Sequence, residues 1–327
     1  MKVLLIIISL IVVGIGLALL IGNILWKRST SKLVDQLISS CEPFNGAVYN
    51  PEMLNGLPSP VQRYFQLVLK DGQPLIRSAS LSQTGEFNMG ESKGGWLPFQ
   101  AAQHFTASGP GFVWEAHISM MPLVSVGVRD GYVNGQGGMQ AKILALIPVL
   151  NEGGKTELSE SALQRYLAEA AWLPTALLPG QGVQWSEIDD NSALATLTDS
   201  GITVSLEFEF NEIGEITGVY TSGRYREVNG KYELTPWFGS FRKYENRHGI
   251  RIPVEGEVEW QRIRVLPRVR VDVLPRLVRR RRVRVPGLLP SHSQRTCHGE
   301  HEEDGQHGRK NSRSSHRMPL SALHGIR

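Results

Sequence analysis

Residues 183–210 read VQWSEIDDNSALATLTDSGITVSLEFEF and contain three short segments in which apolar or β-branched residues alternate with polar ones. The segments 183–188, 193–198 and 203–210 are separated by Asp, Asn, Ser and Gly, which are typical of turns. Asp199-Ser200-Gly201 is a hairpin turn signal. Strands this close in sequence pair antiparallel, because a parallel crossover needs about a dozen residues or more. The stretch therefore predicts consecutive antiparallel hairpins.

The same alternation continues on both sides of this stretch, with Gly, Pro and Asn between the segments. Together the segments amount to about ten strands, while the pattern over 135–150 is ambiguous. The further predicted strands are 76–88, 96–107, 111–120, 123–133, 216–226, 232–241 and 252–260.

Two segments have helical spacing instead. The first begins at Ser59, which can cap a helix, and Pro60, which suits the first helical position, and it ends at Asp71-Gly72. The second covers 159–171, where Ser161 and Gln164 have the spacing of a capping box. The sequence therefore predicts an α+β domain with one large curved antiparallel β-sheet, half-barrel-like, and two main helices on one face.

Residues 3–25, VLLIIISLIVVGIGLALLIGNIL, carry no charge and are followed directly by Trp26-Lys27-Arg28. At about 1.5 Å per residue this helix reaches about 35 Å, enough to cross a hydrocarbon core of about 30 Å. The apolar run of a cleaved signal peptide is usually shorter, about 7–15 residues, and ends near small residues. We therefore expect an uncleaved transmembrane helix that makes the membrane a partner of the chain.

The orientation of this span has two opposing indications. Lys27, Arg28 and Lys32 come after the span, and the positive-inside rule places such residues in the cytoplasm. An N-terminal anchor preceded by almost no chain more often exports the domain on its C-terminal side. We expect a single-pass membrane protein with its domain on the extracytoplasmic side.

The charge of the chain changes sharply after Trp260. Residues 261–327 hold 16 of the 35 Lys and Arg but only 5 of the 31 Asp and Glu, a net charge of +11. Residues 1–260 carry 19 basic and 26 acidic residues, a net charge of −7. Because the basic charge is confined to the tail, it is poor support for a nucleic-acid partner. The tail has no helical period, and we interpret it as disordered and as a product of out-of-frame translation.

These changes of pattern divide the chain into four parts. They are a transmembrane anchor at 1–28, a stalk or linker at 29–56, an antiparallel sheet domain at 57–260 and a basic tail at 261–327. The sequence is silent on the oligomeric state.

Metal and cofactor motifs are absent from the sequence. Residues 57–260 contain no cysteine, and His104, His117 and His248 do not have the spacing of metal ligands. Asp189-Asp190 is interpreted as a solvated turn, and the glycines of 131–138 lack the context of a phosphate-binding loop. We expect no metal and no cofactor.

The candidate ligand-binding residues centre on the second predicted helix. Arg165 and Glu169 are separated by four residues, so their side chains lie on one face and can pair. Such a pair can orient a carboxylate or a phosphate, although a surface salt bridge is the favoured interpretation. Trp172 and Thr175 come after the helix. The candidate set is completed by Trp114 and by Asp130, which we expect at the start of a turn.

Residues 57–260 contain the motifs LPSPVQRY at 57–64, DGQP at 71–74, PGFVW at 110–114, RDGY at 129–132, RYLAEAAWLPTALLP at 165–179, SALATLTD at 192–199 and TPW at 235–237. These motifs resemble an uncharacterised bacterial family known as a domain of unknown function, of the DUF6920 type and related to DUF6544. This resemblance implies no activity. At the level of layout, the predicted sheet and helices are similar to periplasmic lipoprotein carriers, whose half-barrel holds acyl chains. The family pattern implies further strands after Trp260, where this chain departs from it.

These observations leave three hypotheses for function. The first is a membrane-anchored envelope protein whose half-barrel binds an apolar or lipid-like ligand, with Arg165 near the headgroup; it requires an apolar cavity of at least about 300 Å³. The second is a hydrolase-like enzyme that uses Glu169 with Asp130 or a histidine facing one cleft. The third is a structural or assembly protein without a small ligand, which would have a filled sheet interior and an exposed apolar patch.

Overall fold

The computed structural model describes residues 1–41, 46–88 and 95–260, together with the backbone of 269–274. Within these residues the chain forms three α-helices, four short 3₁₀ turns and thirteen strands. The helices are α1 (Lys2–Ser39), α2 (Ser59–Val68) and α3 (Thr156–Glu169). The 3₁₀ turns are Pro51–Leu54, Ala170–Trp172, Pro174–Leu177 and Pro179–Gln181.

All thirteen strands join one antiparallel sheet in the order β6-β5-β4-β3-β2-β1-β13-β12-β11-β10-β9-β8-β7. Strands β1–β6 and β7–β12 form two six-stranded halves, and β13 joins them by pairing with both β1 and β12. The strands are β1 (Ser78–Asn88), β2 (Trp96–Thr106), β3 (Gly111–Met121), β4 (Val124–Val133), β5 (Gln136–Ile143), β6 (Ile147–Gly153), β7 (Val183–Asp189), β8 (Ser192–Asp199), β9 (Ile202–Phe210), β10 (Ile216–Val228), β11 (Lys231–Arg247), β12 (Ile250–Trp260) and β13 (Val269–Leu274).

The sheet curves around α3. This helix contacts β4 and β5 in the first half and β9 and β10 in the second, although these strands are far apart in the sheet order. We call the face that holds α3 the inner face. Helix α2 also packs there, with the Tyr64 ring 6.0 Å from that of Phe210. The predicted curved antiparallel sheet with helices on one face is confirmed.

Helix α1 packs against the opposite, outer face of the sheet. Adjacent residues of β4 mark the two faces, because side chains alternate along a strand. Arg129 donates to the Trp26 carbonyl of α1, whereas the next residue, Asp130, pairs with Arg165 of α3. Trp26 and Leu37 of α1 are buried against the sheet. One helix therefore contains both the apolar run 3–25 and a docked segment.

The docked segment includes the first part of the predicted stalk. Residues 29–39 continue α1 without a break, because their apolar positions Leu33, Val34, Leu37 and Ile38 have the period of a helix that packs on one side. The predicted division into anchor, stalk, domain and tail stays a prediction.

Two parts of the sheet differ from the sequence-based prediction. The ambiguous region 135–150 forms β5 and β6, which are joined at Leu144-Ala145, a turn without the usual Gly or Asn. Residues 269–274, VRVDVL, form a strand inside the tail that we predicted to be disordered. Strand β13 also pairs with β12, the strand that ends at Trp260. The rest of the tail lies outside the described residues.

The helix termini also differ in detail. Helix α3 begins at Thr156, before the predicted capping box, and Ser161 donates from Oγ to the Tyr225 carbonyl instead of capping. Ser59 is the first residue of α2, and its Oγ accepts a hydrogen bond from Arg63. Packing against the sheet, rather than local capping, therefore sets where these helices begin.

Candidate functional site

Arg165 lies in the interior between α3 and the first half of the sheet. Its Nε donates to Glu169 Oε1 at 2.9 Å, and its Nη1 donates to Asp130 Oδ2 at 2.5 Å. The Arg165 side chain is 2 % exposed and both carboxylates are 8 % exposed. The interpretation of Arg165 and Glu169 as a surface salt bridge is therefore wrong, because the sheet covers this face of α3. Asp130 lies within β4 and does not begin a turn.

The Glu169 carboxylate extends the ion pair into a chain of hydrogen bonds across β1–β3. Glu169 Oε2 accepts from Gln103 Nε2 at 2.7 Å, and Gln103 Oε1 accepts from Gln83 Nε2 at 2.8 Å. Gln83 Oε1 accepts from Trp114 Nε1 at 2.7 Å. The guanidinium carbon of Arg165 lies 5.0 Å from the ring centroid of Trp114. We call Gln83, Gln103, Trp114, Asp130, Arg165 and Glu169 the Arg165 network.

Two carboxylates hold the charge of Arg165 in the Arg165 network. Burial acts to lower the pKa of Arg165, but the charges of Glu169 and Asp130 outweigh burial and raise this pKa above its ordinary value. Arg165 therefore stays protonated, and its two carboxylates do not face an open cleft. The hydrolase-like hypothesis requires two titratable groups that face one cleft. Its candidates Asp130 and Glu169 instead both bond the Arg165 guanidinium in the core.

Trp172 and Thr175 make their contacts outside the network. The Trp172 ring meets Phe241 edge-on at 5.8 Å, and Thr175 Oγ1 accepts a hydrogen bond from the Ile76 backbone at 3.2 Å. Of the six predicted site residues, the structure brings together Trp114, Asp130, Arg165 and Glu169. Their role in ligand binding stays a prediction.

Arg224 is a second buried arginine that the sequence analysis missed. It lies on β10 and is 3 % exposed. A register irregularity between Thr221 and Arg224 shifts the alternation of β10, so that Arg224 points to the inner face. Strict alternation from the inward-facing Val219 would instead place Gly223 inside and Arg224 outside. The bulge therefore hides this residue from periodicity analysis.

The Arg224 guanidinium lies over two indole rings of neighbouring strands, 4.8 Å from the centroid of Trp237 and 5.3 Å from that of Trp260. Its Nη2 donates to the Ser161 carbonyl at 3.3 Å. Its Nε and Nη1 are buried and have no hydrogen-bond partner among the described residues. No carboxylate of this part of the chain forms a salt bridge with Arg224.

Arg224 is nevertheless charged at neutral pH. Burial, followed by the positive charge of Arg165, lowers the pKa of Arg224 to about 10, while Asp130 and Glu169 act in the opposite direction. This pKa is still well above 7. The inner face therefore holds one arginine with two carboxylates and another with only a carbonyl and aromatic rings.

An open groove of about 790 Å³ lies on the outer face, between α1 and strands β4–β6. Its α1 wall includes Ser29, Lys32 and Gln36, and its sheet wall includes Gln140 and Asn151. The groove is thus polar and lies on the side opposite the apolar cavity that we expected. In the described structure α3 and the 3₁₀ turns after it pack on the inner face.

Metal-binding clusters are not found in the described part of the chain, where no three His, Cys, Asp or Glu side chains converge. His104 Nδ1 forms a hydrogen bond with Ser80 Oγ at 2.9 Å. Asp189 and Asn191 form the β7–β8 turn, where the Asp189 carboxylate accepts from the Asn191 backbone.

Residues 55–264 match the family described as "Family of unknown function (DUF6920)". The chain belongs to this family. The match ends four residues after Trp260, close to the change in charge. No curated protein matches the sequence of this family member.

Two solved structures are similar to this DUF6920 protein at low identity. A DUF1329 family protein from Desulfovibrio piger is 10% identical, with a TM-score of 0.40 over 68% of this chain and 92% of that one. The LolA superfamily protein NE2245 from Nitrosomonas europaea is 10% identical, with a TM-score of 0.28 over 66% of this chain and 90% of that one. These scores are too low to carry an argument about function.

Proposed function

We propose that this protein is a membrane-anchored domain that binds an anionic, lipid-like ligand, with the charged group of the ligand at Arg224. The observation that carries the proposal is the guanidinium of Arg224, which is buried against two indole rings with two N–H-bearing nitrogens unpartnered among the described residues. Separate oxygens of a carboxylate or phosphate group, or of two such groups, would accept hydrogen bonds from these nitrogens, because anionic oxygens form strong charge-assisted hydrogen bonds with a guanidinium.

The energetic cost of the two buried arginines favours Arg224 over Arg165 as the ligand anchor. Taking an ion out of water costs several kcal/mol after relaxation, unless a partner of opposite charge compensates it. Asp130 and Glu169 both bond Arg165 directly, although its Nη2 is also buried without a partner among the described residues. Arg224 feels the charges of the same two carboxylates only at a distance. Its direct partners are one carbonyl and two aromatic faces, and cation–π contacts contribute about 2 kcal/mol each when desolvated. An anionic ligand would supply the direct hydrogen bonds that no carboxylate of the described residues makes to Arg224.

The surroundings of Arg224 suit the apolar part of such a ligand. Trp237 and Trp260 lie against the guanidinium, and the indole nitrogen of Trp237 is buried without a partner among the described residues. Aromatic rings offer apolar faces to a hydrocarbon chain, and their N–H groups can donate to its polar end. These residues lie on the same inner face as α3.

The anchor is proposed to be the first part of α1. Residues Lys2–Ser39 form one helix, and the side chains of its apolar run are exposed in the described structure. Length and composition alone suit either a membrane span or a signal sequence. The same helix continues into the segment docked on the sheet, which favours a retained anchor over a removed leader.

The side of the membrane can be tested with an impermeant maleimide. In a variant with Cys41→Ser and Cys297→Ser, a single cysteine at the exposed Ser186 reports the position of the domain. We expect Ser186→Cys to react in intact spheroplasts, because we propose that the domain lies on the extracytoplasmic side. Reaction only after lysis would place the domain in the cytoplasm.

The ligand is tested by native mass spectrometry and lipid extraction of the full chain purified from membranes. We expect the wild-type protein to retain an anionic amphiphile and Arg224→Gln to retain at least about tenfold less, because a hydrogen bond to a charged group contributes about 1.5–3 kcal/mol. The matched control is Arg226→Gln, two residues along β10. Arg226 also stacks on Trp260, at 5.8 Å, but is only partly buried.

A second candidate is an anchored structural protein without a small ligand. The packing of the inner face favours it, since buried residues of α3 and the 3₁₀ turns belong to the core on the concave side of the sheet. The same experiment separates the two candidates. A wild-type protein that carries no amphiphile, or an Arg224→Gln protein that carries as much as the Arg226→Gln control, supports the structural alternative and contradicts a ligand at Arg224.

A further inference from the structure

We infer that two hairpin tips of the sheet insert into the same lipid bilayer that α1 spans, so that the domain is held against the membrane surface in a fixed orientation. The β3–β4 tip is 119–126, SMMPLVSV, and the β5–β6 tip is 143–150, ILALIPVL. This inference rests on the proposed membrane anchoring by α1 and is independent of the ligand at Arg224.

Contact with α1 places the β5–β6 tip beside the apolar run. A β-carbon added at Gly22 would lie 2.5 Å from Leu146 Cδ2 and 3.1 Å from the Ala145 carbonyl oxygen. Gly22 is within 3–25, one helical turn before Trp26. The tip therefore touches α1 at a depth that belongs to the hydrocarbon core if α1 spans the membrane.

The β3–β4 tip extends in the same direction. Strand β4 runs parallel to α1, because Gly127 lies against the Trp26 ring and Arg129 bonds Thr30 further along both elements. Leu123 is four residues before Gly127, a distance of up to about 13 Å along a strand. This tip thus projects past Trp26 toward the N-terminus of α1, by about the depth of one leaflet of a hydrocarbon core of about 30 Å.

The side chains at both tips are apolar and exposed. Leu123 is 98 % exposed, Met121 62 % and Ile147 58 %. Neither eight-residue tip contains a charged residue. Large apolar side chains that cluster on a surface mark an interaction site. Their continuity with the exposed apolar surface of α1 identifies the lipid bilayer as the partner.

The backbone of the β5–β6 turn supports the same conclusion. Leu144 and Ala145 have φ angles of 51° and 58°, in the left-handed region that disfavours residues with a side chain. Four other described turns with two consecutive left-handed residues all end in glycine. They are Asn134-Gly135, Ser200-Gly201, Asn229-Gly230 and His248-Gly249. Among these described turns, only the one beside Gly22 uses two apolar residues, although Asn-Gly is favoured for such turns in water.

Residues at the boundary of this surface match a membrane interface. Trp26 lies between the apolar run and the docked segment of α1, and Lys142 Nζ is 5.7 Å from its ring centroid. Lys27 and Arg28 come directly after Trp26. Aromatic and basic residues are enriched at the level of lipid headgroups. Lys142 immediately precedes the uncharged β5–β6 tip. On both the sheet and α1, the basic residues therefore lie near Trp26, and the segments next to them are uncharged.

The test places an environment-sensitive NBD fluorophore at single cysteines in the full chain with Cys41→Ser and Cys297→Ser. The protein is reconstituted in vesicles of phosphatidylethanolamine and phosphatidylglycerol. We expect NBD at Leu123→Cys to be quenched by doxyl-labelled lipid and protected from aqueous iodide. The control is Thr198→Cys, which is exposed and adjoins Asp199, the partner of Tyr132 at the other end of β4. It should be quenched by iodide and not by doxyl lipid.

Each alternative result contradicts the inference in a different way. Iodide quenching at Leu123→Cys in protein that resists carbonate extraction would mean that α1 spans the bilayer while the tips stay in water. Protection from both quenchers would mean that a protein surface covers the tips. Release of the protein by carbonate would refute the anchoring itself, and with it both the inference and the anchoring part of the proposed function.

Discussion

Arg165→Met is expected to lower the free energy of unfolding by about 3–5 kcal/mol, the cost of removing one partner from a buried ion pair. Methionine preserves most of the apolar volume of the arginine side chain. The decrease in the free energy of unfolding therefore comes from the lost charge and not from a cavity. Without the guanidinium, the Asp130 and Glu169 carboxylates remain in the interior with no cation bonded to them. Urea unfolding of the full chain in detergent, monitored by tryptophan fluorescence, measures the effect.

Two further variants identify charge as the cause. Arg226→Met removes a partly buried arginine and should change the unfolding free energy by less than about 1 kcal/mol. The triple variant Arg165→Met, Asp130→Asn, Glu169→Gln removes all three charges and should recover part of the stability. If Arg165→Met is as stable as Arg226→Met, the Arg165 network does not support the fold in the way the contacts indicate.

Gly137→Ala is expected to destabilise the protein by about 3 kcal/mol, the upper part of the usual range for overpacking. The start of α3 crosses β5 at Gly137. An added β-carbon would lie 2.6 Å from the Leu158 carbonyl oxygen and 2.7 Å from Ser159 Cα. Both are backbone atoms, so the helix itself must move. This movement would also strain the hydrogen bond from the Gly137 backbone to Ser159 Oγ.

The neighbouring Gly138→Ala is the matched control. Its β-carbon would point to the other face of β5, where the nearest atom is the Glu152 carbonyl oxygen at 3.7 Å. We expect this variant to stay within about 0.5 kcal/mol of the wild type. Equal stability of Gly137→Ala and Gly138→Ala in the same urea titration would show that α3 does not pack as closely on β5 as the structure has it.

Most of the strands were predictable because their side chains alternate between a buried and a more exposed face. The pattern over 183–210 gives β7–β9 to within two residues at each end. The β5–β6 hairpin was not predictable in this way. Its turn, Leu144-Ala145, lacks the residues that normally mark a hairpin, and its apolar side chains make strand and turn look alike. The residues Leu144-Ala145 are thus unfavourable for the turn that they form, and this turn lies at the surface that we infer to contact lipid.

The candidate site was predictable only in part. The spacing of Arg165 and Glu169 was sufficient to predict their pairing on α3, but the third member, Asp130, is 35 residues earlier in the chain. Trp114 was a candidate without an assigned partner, and Gln83 and Gln103 carried no signal at all. Arg224 was hidden by the bulge in β10, which reverses the faces of the residues after it.

The apolar run of α1, the antiparallel α+β class, the family and the change of character after Trp260 all follow from the amino-acid sequence. These features depend on local composition and periodicity, which record the environment of each side chain over a few neighbouring residues. The folded structure was needed to show that α1 docks on the outer face, that two carboxylates bond Arg165, and that Arg224 is bonded by none among the described residues. Burial and charge compensation depend on atoms brought together by the sheet from distant parts of the chain, and periodicity contains no information about those distances.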